Sequence, residues 1–141
     1  IHRDLQRIYD NLKFTKMNIT DKVKSFEDAC QLLGIKTTLP EVSMLPVNHQ
    51  KAIIAHYKLV IIAEAINEGW KPNWDNWDER KYYPWFDLEG SSSGSGFSFG
   101  DYDRWLATST VGSRLCFKSY ELAKYVGQTF IDLYKDYFLV E

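Results

Sequence analysis

Leu5, Ile8, Tyr9 and Leu12 recur at i, i+3, i+4 and i+7, so the segment Asp4 to Phe14 reads as an amphipathic helix. Asn18-Ile19-Thr20-Asp21 is a turn or cap cluster. Ser25 stands three residues before Asp28, a variant of the capping signature, and predicts a short helix to about Leu33. Gly34 is its natural left-handed stop. Residues 35–47 hold Pro40 and Pro46 without a clean period and read as a connecting loop. Asn48 is placed to cap a long helix from about His49 to Glu68, with Gly69 as its stop. Ala52, Ile53, Ala55, Leu59, Val60, Ile62, Ala63 and Ile66 give that helix one wide apolar face, and Ile54 and Ile61 widen it further. A helix apolar on most sides is central and buried.

After Gly69 the pattern changes. Trp70 to Arg80 mixes Asn, Asp and Trp with Pro72 and reads as an ordered loop. Lys81 to Leu88 is aromatic and extended, with Pro84 marking an edge strand or a bulge. The glycine-serine run 90–96 reads as a flexible connector. Phe97 to Asp103 alternates with period two, Thr108 to Gly112 is a turn region, and Ser113 to Lys118 alternates again. Ser119 then caps a last helix over 119–138, with the stripe Leu122, Val126, Phe130, Leu133 and Tyr137. Gly127 inside that helix costs about 1 kcal/mol against alanine, which close packing on another element would explain.

The chain therefore reads as one α+β domain: 1–69 mainly helical, 70–118 aromatic loop and strands, 119–138 a C-terminal helix. The expected architecture is helices packed on a small antiparallel sheet of about three strands. No internal repeat is expected. At 141 residues the chain is long enough for one core without staples. No apolar run reaches the ~18–20 residues of a membrane span, because Glu64 interrupts the longest, around Leu59–Ile66.

Half of the aromatic residues, with all five tryptophans, lie between Trp70 and Trp105. Phe86, Phe97, Phe99, Leu115 and Phe117 are expected to face the helices. Trp70, Trp74 and Trp77 sit among Lys, Pro, Asn and Asp, where full burial is harder. With Tyr82, Tyr83, Tyr102 and Trp105 they form the expected contact face, since Trp and Tyr dominate interface hot spots. Arg80, Lys81, Arg104 and Arg114 lie on or near the expected strands and offer an alternative, single-stranded nucleic acid stacked on a small sheet. The acidic balance of the aromatic segment opposes it, because phosphate backbones demand clustered cations. A third reading is carbohydrate binding or glycoside hydrolysis, with Asp75, Asp78, Glu79, Asp87, Glu89, Asp101 and Asp103 supplying paired acids beside rings. No spacing in the sequence fixes the distance such a pair needs.

Other chemistry finds little support. His49 and His56 are seven apart, not the i, i+4 spacing of zinc ligands on a helix, and His2 is remote. Asp75, Asp78 and Glu79 lack the twelve-residue calcium-loop pattern. There is no nucleophile elbow, and Gly94-Ser95-Gly96 lacks the ending of a phosphate loop. Cys30 and Cys116 read as buried free thiols and favour a reducing compartment. The expectation is a non-enzymatic module with no catalytic residues, metal or cofactor, partnered by another protein or by itself and not by a membrane.

The pieces "NITDKVKSFEDACQLLGI", "AEAINEGWKPNW", "KYYPWFDL" and "VGSRLCFKSYELAKYVGQTFIDLYKDYF" resemble a group of small uncharacterised proteins of Bacteroidetes-type gut bacteria and their phages. The likeness runs from Asn18 onward and is most specific over Gly112–Lys118 and the last helix. It implies a cytoplasmic or virion-associated, phage-linked setting, and no mechanism.

Overall fold

The computed structural model describes residues 1–89, 97–105 and 107–140, without the side chains of residues 15 and 101–105. The described residues form α1 (His2–Lys16), α2 (Ile19–Lys22), α3 (Phe26–Leu33), α4 (Val47–Ile66), β1 (Lys81–Asp87), β2 (Ser98–Trp105), α5 (Tyr120–Thr129) and α6 (Ile131–Phe138). The fold is mixed α+β. The glycine-serine connector read over 90–96 lies outside the described residues.

α4 is the spine. Ala55, Leu59, Ile61, Ile62, Ala63, Ala65 and Ile66 are all buried, and α3 and α6 both pack on it. It begins two residues earlier than an Asn48 cap would set it. Pro46 occupies the cap position with no side-chain bond, and its carbonyl accepts from His49 N at 3.0 Å. A proline has no N–H to leave unsatisfied at that end. Beyond Asn67 the chain turns through two left-handed residues, Glu68 at φ 49° and Gly69 at φ 85°.

α3 follows the sequence closely. Ser25 Oγ accepts from Asp28 N at 3.0 Å, and Asp28 Oδ2 accepts from Lys24 N at 2.9 Å. Gly34 closes the helix at φ 69°, with Ile35 N bonded to Cys30 O at 3.0 Å. α1 forms as expected, but its stripe is bare: Leu5, Ile8, Tyr9 and Leu12 are all exposed.

The expected third strand is a single bridge. β1 and β2 pair antiparallel, with a register shift at Trp85/Phe86. On the other side of β1, Tyr82 and Phe117 exchange both backbone bonds, Tyr82 N to Phe117 O at 3.0 Å and Phe117 N to Tyr82 O at 2.6 Å. Continuing that ladder one way would pair Pro84 with Leu115, and Pro84 has no N–H to give. Pro84 shares the parity of Tyr82, so its missing donor faces the Phe117 side and leaves the β2 ladder intact. Continuing the other way meets Ser119, whose Oγ already caps α5 by accepting from Leu122 N at 3.3 Å. Buried Asn67 fixes the bridge from behind. Its Nδ2 donates to Cys116 O at 2.9 Å, and its Oδ1 accepts from Lys118 N at 3.3 Å.

The expected single C-terminal helix is two. Phe130, at φ −110° and ψ 29°, separates α5 from α6 and is buried. α5 packs on the hairpin and α6 on α4, and one straight axis does not serve both surfaces. The core joins Phe86, Leu115, Phe117, Leu122, Val126, Phe130 and Tyr134 to the buried face of α4, with Phe97 and Phe99 half-buried against it.

Gly127 lies where the hairpin comes closest. A methyl carbon added there would stand 2.7 Å from both Pro84 Cβ and Phe99 Cε2. Alanine's helix preference, about 1 kcal/mol, is outweighed by overpacking that costs about 1–3 kcal/mol. Gly127→Ala should therefore lower stability in urea unfolding by about 1 kcal/mol. A stabilised variant would mean that the hairpin yields to the added carbon.

Candidate functional site

The tryptophan loop is ordered by a tandem triplet, Asn73-Trp74-Asp75 followed by Asn76-Trp77-Asp78. This short repeat escaped the sequence reading. Each asparagine makes the same turn. Asn73 Oδ1 accepts from Asp75 N at 3.0 Å, and Asn76 Oδ1 accepts from Asp78 N at 2.9 Å. Backbone bonds from Asn76 N to Asn73 O and from Glu79 N to Asn76 O close the two turns. Glu79 Oε1 returns to accept from Asn73 N at 2.7 Å.

The loop wraps a lysine. Lys81 has 0% of its surface exposed. Its Nζ donates to Asn76 O at 2.9 Å, lies 3.5 Å from Glu79 Oε1, and sits 5.3 Å from the centre of the Trp74 ring. Trp74 in turn donates from Nε1 to Ser113 Oγ at 2.7 Å. A buried ammonium needs such partners. Lys81 was expected among the cations for a nucleic-acid strand; it is enclosed and does not present its charge at the surface. Arg80 and Arg114 are exposed, and the side chain of Arg104, on β2, lies outside the described residues.

Five of the seven residues of the expected contact face have described side chains, and these differ in exposure. Trp77 points outward and is 67% exposed. Trp70 and Trp74 are half-buried, Tyr82 is half-buried against the core, and Tyr83 is buried. The side chains of Tyr102 and Trp105 lie outside the described residues. Trp85, which the sequence reading left unassigned, is 57% exposed and lies across Gly100 of β2. Strand alternation carried that signal, since Phe86 faces the core.

Concave surface lies along α4 and takes in Tyr83 and Trp70 of that set. One groove of about 620 Å³ is bounded by His56 of α4, Tyr83 and Pro84 of β1, the 110–115 loop, and Tyr134, Tyr137 and Phe138 of α6. A second, of about 450 Å³, is bounded by Val60, Glu64 and Asn67 of α4, Trp70 to Pro72, and again Ser113 and Arg114. His56, Val60, Glu64 and Asn67 fall at i, i+4, i+8 and i+11, one face of the helix. The grooves thus adjoin along one trough-like stretch of α4, about 16 Å long at 1.5 Å per residue, with Ser113 and Arg114 lining both. The proline that stops the third strand also shapes it, because the chain before Phe117 stands away from β1 at Pro84.

Two details mark the first groove. His56 and Tyr137 stack with centroids 4.6 Å apart and planes 11° apart. Tyr134 is 3% exposed, and its hydroxyl has no hydrogen-bond partner among the described residues. Burial pushes that hydroxyl well above the ordinary tyrosine range, so it stays protonated.

Among the described residues no three His, Cys, Asp or Glu side chains group so as to hold a metal ion. Cys30 and Cys116 are free and buried. Burial pushes the Cys116 thiol up to about 11 and raises Cys30 as well, with Glu27 adding to the latter. Both are thus protonated and weak nucleophiles near neutral pH. No described helix is long and apolar enough to cross a membrane. No protein family, curated protein or solved structure matches the chain.

Proposed function

We propose that the protein is a non-enzymatic binding module whose contact face is the trough along α4, taking another protein or a ligand. One observation carries this reading: two adjoining grooves, the larger one rich in aromatic side chains, share Ser113 and Arg114 and follow one helical face. Concave apolar sites with a few polar groups are where ligands bind. The nucleic-acid reading draws on fewer groups, because Lys81 is enclosed within the fold. The carbohydrate reading draws on little of the grooves' geometry, since Glu64 is the sole carboxylate among the described residues that line them. A phage- or mobile-element-linked, cytoplasmic or virion-associated setting belongs to the same proposal and rests on the sequence resemblance alone.

The test is fragment mapping by NMR with neutral aromatic probes, namely phenol, indole and benzamide at millimolar concentration. Shifts should concentrate at His56, Val60, Trp70, Arg114 and Tyr137. Shifts confined to the outer face around Trp77 and Trp85, or none at all, would sink the trough as the contact face.

A further inference from the structure

We infer that the trough receives an extended acidic peptide segment of a partner protein, one apolar side chain filling the Tyr83–Tyr134–Phe138 groove and a nearby carboxylate on Arg114. The inference rests on the trough being the contact face.

Charge favours an acidic occupant. Among the described residues around the larger groove, none carries a carboxylate, and Arg114 is the cation. The smaller groove adds Lys71 against Glu64. Arg114 is exposed and makes no ion pair with a described residue, and its planar fork suits a carboxylate. A basic occupant would meet like charge at the point where the grooves join.

Burial supplies an independent mark. Tyr134 borders the larger groove, and its hydroxyl is buried without a partner among the described residues. Buried polar groups are normally hydrogen-bonded, so the fold leaves this donor unmet on its own. The hydroxyl is sealed from solvent in the free protein, so an occupant completes it by turning the ring toward the groove and bringing an acceptor to it. The rest of the floor is Tyr83, Pro84, Leu115 and Phe138, which suits an aromatic or aliphatic side chain.

Shape favours a chain over a compact small molecule. His56 and Glu64, one in each groove, are two turns apart, about 12 Å along the axis. An extended peptide rises about 3.1–3.4 Å per residue, so side chains three or four apart reach both grooves. A small molecule would fill one and leave the other empty.

The test probes the full chain against a synthetic array of random ten-residue peptides. Bound peptides should be enriched in Asp or Glu within four residues of Phe, Tyr, Trp or Leu. For one such peptide, Arg114→Ala should weaken binding about tenfold or more, and a Glu→Gln peptide should bind both proteins alike. Tyr134→Phe should move two readouts in opposite directions. It should raise the melting temperature of the free protein, by relieving the unmet hydroxyl, and weaken the peptide about threefold or more. Preference for basic peptides, acid preference that survives Arg114→Ala, or full affinity in Tyr134→Phe would overturn the inference. An empty array with fragments still mapping to the trough overturns the peptide alone. An empty array with silent fragments overturns the contact face as well.

Discussion

Lys81→Ala should cost about 3 kcal/mol, an unusually large effect for a lysine. Exposed lysines are usually replaced at little cost, because their ion pairs are worth about 0–1 kcal/mol. Lys81 differs because no part of it reaches solvent. Truncation leaves the Asn76 carbonyl without its 2.9 Å donor and Glu79 without its cation, and it opens a void beneath Trp74. Breaking a buried ion pair costs about 3–5 kcal/mol, and the low end applies because Glu79 keeps a quarter of its side chain in water. At about 2–4 °C per kcal/mol, the melting temperature should fall by about 6–12 °C. Lys81→Met keeps the stem and should recover part of the loss. Tryptophan fluorescence gives a local readout, since Trp74 loses its neighbour and its bond to Ser113 loosens. An alanine variant within 1 kcal/mol of the parent, with unchanged fluorescence, would show that the loop holds itself without the lysine.

That lysine also marks where sequence reasoning stopped. Elements set by neighbouring residues were readable: the Ser25 cap, the Gly34 stop and the apolar breadth of α4 each depend on side chains within a few positions. The misread elements depend on distant pairing. Pro84 and Ser119 are both visible in the sequence. That they face the two ends of one bridge at Tyr82–Phe117 follows only from strand parity, and so a third strand was expected. Phe130 breaks the last helix without proline or glycine, because α5 and α6 serve different surfaces. Lys81 was placed outside on the general rule for lysine, and the two asparagine turns that enclose it were not recognised.

The site was legible in part. The reading fixed on tryptophan density and so found Trp70, at one end of the trough, and Tyr83, buried at the other. It missed His56, Tyr134, Tyr137 and Phe138, and gave Arg114 only to the nucleic-acid alternative. The stripe His56, Val60, Glu64, Asn67 sets three polar side chains along one face of a mainly apolar stretch of helix, and that was the available signal. Its opposite walls come from residues 83–84, 110–115 and 134–138, which no local pattern connects to α4. Among the described side chains Trp77 and Trp85 are the exposed indoles, yet neither lines the two grooves.

Phe86→Ala should be at least as damaging, and its damage should spread differently. Phe86 is buried at the centre of the aromatic cluster that ties the hairpin to α6. Its ring lies 5.0 Å from Phe97, 5.9 Å from Phe99, 4.7 Å from Tyr134 and 5.6 Å from Phe138, centroid to centroid. Truncating a buried phenylalanine costs about 3–5 kcal/mol, transfer and cavity together. Urea unfolding should show that loss, and Phe86→Leu should restore part of it by refilling the space. The cavity would open behind Tyr134 and Phe138, which border the larger groove, so aromatic fragments should bind there more weakly even where the variant is fully folded. Hydrogen exchange separates the two damages. Amides of 81–87 should lose protection first, while those of α3 and α4, which pack on each other, keep theirs. Uniform loss across α3, α4 and the hairpin would mean that Phe86 holds one cooperative unit and that the groove has no stability of its own to lose.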